Sequence, residues 1–193
     1  MTQNIFLSAS IPDPQRHPKY HTTADRLAIR DATRALVTVA LPHARLIWGG
    51  HPAITPLVRI IAEGVGITGD DHIRLYQSNF FRKFFPKDNA AFEKIIRTKA
   101  IKDDREASLK LMRTKMLKSE NFYAGVFIGG MEGVEEEYEM FCKLHPNALV
   151  IPVASTGAAA LLIYQRKDRH FSSDLEIDLA YPSLFRRLLK LPK

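Results

Sequence analysis

The sequence predicts a three-layer α/β fold of Rossmann-like type with a mainly parallel sheet, and three observations carry that prediction. Short apolar runs alternate with amphipathic helical segments in the order βαβαβ…αβαβα. Two of the runs, residues 45–48 and 124–128, pass straight into a paired-glycine turn and then a helix. Three predicted strand ends present small polar or glycine-rich turns, the position at which open α/β sheets bind ligands.

In chain order, residues 4–10 are a short apolar run ending in Ser8, Ala9 and Ser10, the pattern of a central parallel strand. Residues 11–20 hold three prolines and read as a loop. His17 and His21 lie four apart, but Pro18 between them argues against a helical metal pair. Residues 24–40 form an amphipathic helix. Ala24, Leu27, Ala28, Asp31, Ala35 and Val39 lie near one face, with Arg26, Arg30 and Arg34 along another. After the second strand come Gly49, Gly50 and His51, then Pro52, suited to a first helical turn; with Pro56 a few residues on, that helix either begins near Ala53 or is kinked.

Residues 72–76 are a third strand. Phe80, Phe81, Phe84, Phe85 and Phe92 then form an aromatic insertion, read as core or a subunit contact. A lid over a ligand or a surface that stacks bases is the sharper reading. Residues 104–119 are a basic helix with Leu109, Met112 and Met116 on its apolar face and Arg113 projecting into that face. Residues 149–153 are the fifth strand, and the turn through Ser155 and Thr156 opens one more helix. A last helix spans about 182–189.

The chain is organised around the second glycine turn. Gly129, Gly130 and Gly133 let backbone bend sharply or approach a ligand closely, and the helix that follows directs free N–H groups and a positive dipole end at one spot. With Met131, Glu132 and Val134 this turn suits a phosphate or another anion. On that helix Glu137 falls with Val134, Tyr138, Phe141, Cys142 and His145, away from Glu135, Glu136, Glu139 and Lys143. An inward carboxylate is costly without a partner or a task. The blander reading is a first-turn glutamate that complements the helix dipole. Arg113 either snorkels, reaches a phosphate, or pairs with Glu137.

Composition sets bounds. The 193 residues suit one domain, 1–193, with a net charge of +7 and a pI near 9.6 that favour anionic partners. The single cysteine, Cys142, excludes internal disulfides and cysteine-cluster metal sites. Neither a metal nor a cofactor is expected. No apolar run approaches a membrane span, and residues 5–11 lack the charged start and the length of a secretory leader, which makes the cytoplasm the natural compartment. The Gly-x-Gly-x-x-Gly and Walker fingerprints, the Gly-x-Ser-x-Gly elbow and His-Glu-x-x-His are all absent.

Arg113, then Gly129-Gly130, Gly133 and Glu137, resemble the pattern of the Lonely Guy phosphoribohydrolases, an Arg-Lys pair followed by Pro-Gly-Gly-x-Gly-Thr-x-x-Glu. Trp48-Gly49-Gly50 resembles their earlier glycine loop. Residues 6–12 with Gly49-Gly50-His51 look closer still to the SLOG branch of stand-alone bacterial proteins and melastatin-type channel domains. The resemblance spans roughly residues 4–165. It implies a pocket for a nucleotide or an ADP-ribose derivative, a sensor or binding module that acts either through a separate effector protein or by sequestering its ligand, and a homodimer. The runner-up is cleavage of the N-glycosidic bond of a nucleoside 5′-monophosphate by Arg113 and Glu137, and the third is single-stranded DNA binding. Four departures favour binding over hydrolysis: Ile128 for the proline, one extra residue between Gly130 and Gly133, Val134 for the threonine, and Thr114 for the lysine.

Overall fold

The computed structural model describes residues 3–69, 71–166 and 168–191. Six strands form one sheet: β1 (Gln3–Ser10), β2 (Ala44–Trp48), β3 (Ile73–Ser78), β4 (Ile95–Thr98), β5 (Ala124–Gly129) and β6 (Leu149–Val153). All neighbouring pairs are parallel, in the order β4-β3-β2-β1-β5-β6. The chain builds outward from β1 to β4 and then returns to the other side of β1 for β5 and β6. The strand order therefore reverses beside β1, which makes the β1–β5 boundary the switch point where such sheets open a crevice.

Helices cover both faces: α1 (Pro18–His21), α2 (Arg26–Ala40), α3 (Thr55–Gly64), α4 (Arg105–Leu117), α5 (Glu132–Leu144), α6 (Ala158–Tyr164), α7 (Asp174–Ile177) and α8 (Tyr181–Leu189). The two-residue period of β1 divides the core. Ile5 and Leu7 join Ile29, Leu36, Trp48, Val58 and Phe185 on the side of α2, α3 and α8. Phe6 joins Met112, Met116, Phe127, Tyr138 and Phe141 on the side of α4 and α5. Ser8, in phase with Phe6, is carried to that second side. No helix of the described residues is long and apolar enough to cross a membrane.

The three-layer α/β expectation holds, and several local expectations change. Strand β4 was not anticipated. At four residues, on the sheet edge and only half apolar, it has no periodic signal of its own. The strand at 149–153 is thus the sixth rather than the fifth. Residues 18–21, read as loop, form the one-turn helix α1, with Pro18 at the first helical position, where its missing N–H costs nothing. Helix α2 starts later than residue 24 because the Asp25 carboxylate caps it, accepting from Ala28 N at 2.9 Å.

The face expected of α2 is right only in part. Ala35 and Val39 are buried and Ala24 and Ala28 pack against the core. The buried stripe, however, centres on Ile29, Ala32, Thr33, Leu36, Val37 and Ala40, spaced i, i+3, i+4, i+7, i+8 and i+11, while Leu27 is 70% exposed and Asp31 lies in solvent. Helix α3 begins at Thr55 rather than Ala53, with Pro56 in its first turn. By contrast, α4 is capped by Asp104, which accepts from Ala107 N, and it buries Met112, Arg113 and Met116 as expected.

The α4/α5 side is packed through aromatic rings. Phe6 and Phe141 stack with centroids 5.6 Å apart, and Phe6 meets Phe127 edge-on at 6.0 Å. Gly125 on β5 forms the floor under Phe141, where a Cβ would lie 2.8 Å from the ring. Gly125→Ala is expected to cost about 1–3 kcal/mol by overpacking. Equilibrium urea unfolding reads this as a lowered midpoint at unchanged m, and an unaltered midpoint would show that the ring yields freely.

Candidate functional site

A cleft of about 430 Å³ opens at the C-terminal edge of the sheet, a size ordinary for small-molecule sites. Its floor is a short hydrogen-bonded chain. The Ser8 hydroxyl at the end of β1 donates to Glu137 Oε2 at 2.6 Å, and Arg113 Nε donates to Glu137 Oε1 at 3.2 Å. Arg113 Nη1 is bonded to Glu136. The side chains of Arg113 and Glu137 are only 9% and 13% exposed, so both charges are largely removed from water and depend on each other.

Local sequence explains how the pair meets. The α4 cap fixes the start of that helix, which carries Arg113 inward two turns later. On α5, Glu137 follows Gly133 by one turn and faces the same way. Gly133 leaves the space the guanidinium needs, since a Cβ there would lie 2.7 Å from Arg113 Nη2. With Nε and Nη1 spent on carboxylates, Nη2 has no hydrogen-bond partner among the described residues and lies against the first turn of α5. No side chain caps that turn, and with the Val134 N–H donating to Met131 O, the Glu132 and Gly133 N–H groups are the ones left available to an anion. Burial pushes the Glu137 carboxyl above the usual carboxylate range, and the Arg113 charge and the Ser8 hydrogen bond offset that only in part.

The structure gathers Ser8, Ser10, Gly49, Gly50, His51, Met131, Glu132, Gly133, Val134, Arg113 and Glu137 around this cleft. Gly129, Gly130, Ser155 and Thr156 lie behind it, at the same sheet edge but with their polar groups turned inward. Gly129 N donates to Thr156 Oγ1 at 2.9 Å, and Gly130 N donates to Ser10 O at 2.8 Å. Both glycines hold positive φ, 55° and 90°, so the turn bends where other residues are strained. Ser155 Oγ shares a hydrogen bond with the Tyr181 hydroxyl at 3.1 Å. Val134 packs into the core at 4% exposure, where the hydrolase threonine would offer a hydroxyl.

Several cleft residues escaped sequence reasoning. Gln77 and Ser78 close β3, a strand whose predicted span stopped at residue 76. Arg16 and Arg105 line the mouth, paired with Glu132 and Glu106. The aromatic insertion, singled out in the sequence, divides between its readings: Phe81, Phe84 and Phe85 line the cleft, while Phe92 packs edge-on against Trp48 in the core at 5.3 Å. Glu135, placed on the solvent face by periodicity, is held by Tyr20, by Lys19 at 3.2 Å and by Arg166 at 2.9 Å, and so ties α1 to α5. Its partners lie far away in sequence, so a helical wheel cannot find them.

His51 accepts the Ala53 N–H at Nδ1 (3.2 Å), and burial holds its pKa down at about 4. An unfolded imidazole titrates near about 6.5. Between those values the unfolded chain binds a proton that the folded chain refuses. The stabilisation is therefore complete above pH 6.5 and is lost as pH falls toward 4. His51→Asn is expected to lose roughly 2 kcal/mol less than wild type between pH 7 and pH 4.5 in urea unfolding. Equal losses would show that His51 accepts a proton without cost.

No curated protein and no solved structure matches the chain. A family model described as the SLOG cluster3 family matches residues 19–189, most of the sequence, and the chain belongs to that family.

Proposed function

We propose that this protein binds a nucleotide-derived ligand, of nucleoside-phosphate or ADP-ribose type, as a sensor or ligand-binding module that signals through a separate effector protein. Membership of the SLOG cluster3 family supports a nucleotide-related role of binding or processing. The observation that carries the finer reading is the Ser8–Glu137–Arg113 chain beneath the uncapped start of α5 at the switch point. An anion at that helix terminus lies within reach of the unpartnered Nη2 of Arg113. A ribose hydroxyl beside it meets the carboxylate of Glu137.

Binding is preferred to hydrolysis because Glu137 is already committed, with both carboxylate oxygens accepting hydrogen bonds from within the protein. The threonine hydroxyl of the hydrolase motif is replaced by the buried methyl groups of Val134. One observation favours the second reading, phosphoribohydrolysis. A carboxyl raised by burial is the kind of group that donates a proton to a departing base. The aromatic insertion rims a cleft of about 430 Å³, a volume that suits a small ligand better than a DNA strand.

Calorimetry with AMP and ADP-ribose, alongside chromatography for released base, separates these readings. Wild type is expected to bind and to release no base. Glu137→Gln should shift affinity only a few-fold, because the amide keeps the size and one acceptor. Arg113→Ala should weaken binding by roughly 1.5–3 kcal/mol if Nη2 holds a phosphate. Arg113→Lys keeps a positive charge for Glu137 and should bind weakly while remaining folded. Base release that Glu137→Gln abolishes would establish the hydrolase instead. An Arg113→Ala protein that binds both nucleotides like wild type would leave the arginine a purely structural role.

A further inference from the structure

The side chains that β2, β3 and their following turns contribute to the cleft carry no charge, in contrast to the α5 side. Two of them are hydrogen-bond donors with fixed orientation. Gln77, 5% exposed, accepts from Asn89 Nδ2 at Oε1 (2.7 Å), a buried contact that commits one end of the amide and turns Nε2 away from Asn89. Gly50, at φ 70°, leaves that nitrogen uncovered, because a Cβ there would lie 2.9 Å from it. In His51, the hydrogen bond accepted at Nδ1 places the ring proton on Nε2. Neither Nε2 atom has a partner among the described residues. Phe84 lines the same cleft and is 77% exposed, an aromatic face with nothing packed over most of it.

We propose that this side of the cleft is a subsite for a flat, uncharged heteroaromatic ring, stacked by Phe84 and read at its acceptor atoms by the Gln77 and His51 donors. The subsite rests on the nucleotide reading above and fixes its polarity. The base lies over β2 and β3, and the anionic end lies at Arg113 and α5. Two neutral donors favour a ring edge bearing nitrogen or carbonyl acceptors, and Phe84 adds stacking that tolerates different bases.

The test uses two fragments of a nucleotide, adenosine and ribose 5-phosphate, titrated separately by calorimetry into wild type, Gln77→Met and Phe84→Ala. Phe84 is exposed, so its variant probes the subsite without disturbing the core. Adenosine is expected to bind wild type. Phe84→Ala should weaken it about tenfold, and Gln77→Met about two- to tenfold, while ribose 5-phosphate binds all three proteins alike. Adenosine that fails to bind wild type, or that binds both variants as it does wild type, overturns the subsite. Variants that lose ribose 5-phosphate as much as adenosine overturn it too. If adenosine behaves as expected while ribose 5-phosphate binds no protein, the ring subsite stands and the phosphate reading at Arg113 fails.

Discussion

The arrangement of the cleft depends on one ion pair, Arg113 with Glu137, set almost entirely out of water at the point where the strand order reverses. Removing either partner from such a pair leaves a stranded charge, at a cost of about 3–5 kcal/mol. The surroundings are built to prevent that. Ser8 satisfies the second carboxylate oxygen, Glu136 satisfies a second guanidinium nitrogen, and Gly133 keeps the space clear. Aromatic packing of Phe6, Phe127 and Phe141 fixes α5 against the sheet, so the carboxylate stays where β1 and α4 expect it.

This economy has an electrostatic consequence. The chain carries a net charge of +7, yet each guanidinium lining the cleft is in an ion pair: Arg16 with Glu132, Arg105 with Glu106, and Arg113 with Glu136 and Glu137. An incoming anion therefore competes with carboxylates already in place, and helix N–H groups and the one unpartnered arginine nitrogen decide how well it does so. On the proposed reading that competition suits a sensor, because ligand binding repartners charges at the mouth of the cleft. Arg16 and Glu132 are both about half exposed there, free to rearrange at little cost.

Much of this was legible in the sequence. The paired glycines fixed where strands end, and Arg113 and Glu137 stood out as charges on otherwise apolar helix faces. Their meeting bears out one of the three roles considered for Arg113. Other features had no local signal. Strand β4 is too short to show a period, and the α2 stripe is only partly legible, with Ala35 and Val39 placed inward correctly and Leu27 and Asp31 not, because its apolar residues run over a wide arc. Gln77 draws its significance from Asn89, twelve residues away, and Glu135 draws its burial from Tyr20 and Arg166. Such roles are created by tertiary neighbours, which periodicity cannot register.

The central claim, that the β1–β5 crevice takes a nucleotide with its phosphate at α5, is tested most directly by a crystal structure of the protein soaked with AMP. The account predicts phosphate density beside Gly133 within hydrogen-bond distance of Arg113 Nη2, a ribose hydroxyl at Glu137, and the base over Gln77 and Phe84. Density for AMP elsewhere on the protein, or the reverse orientation with phosphate at Gln77, would contradict it.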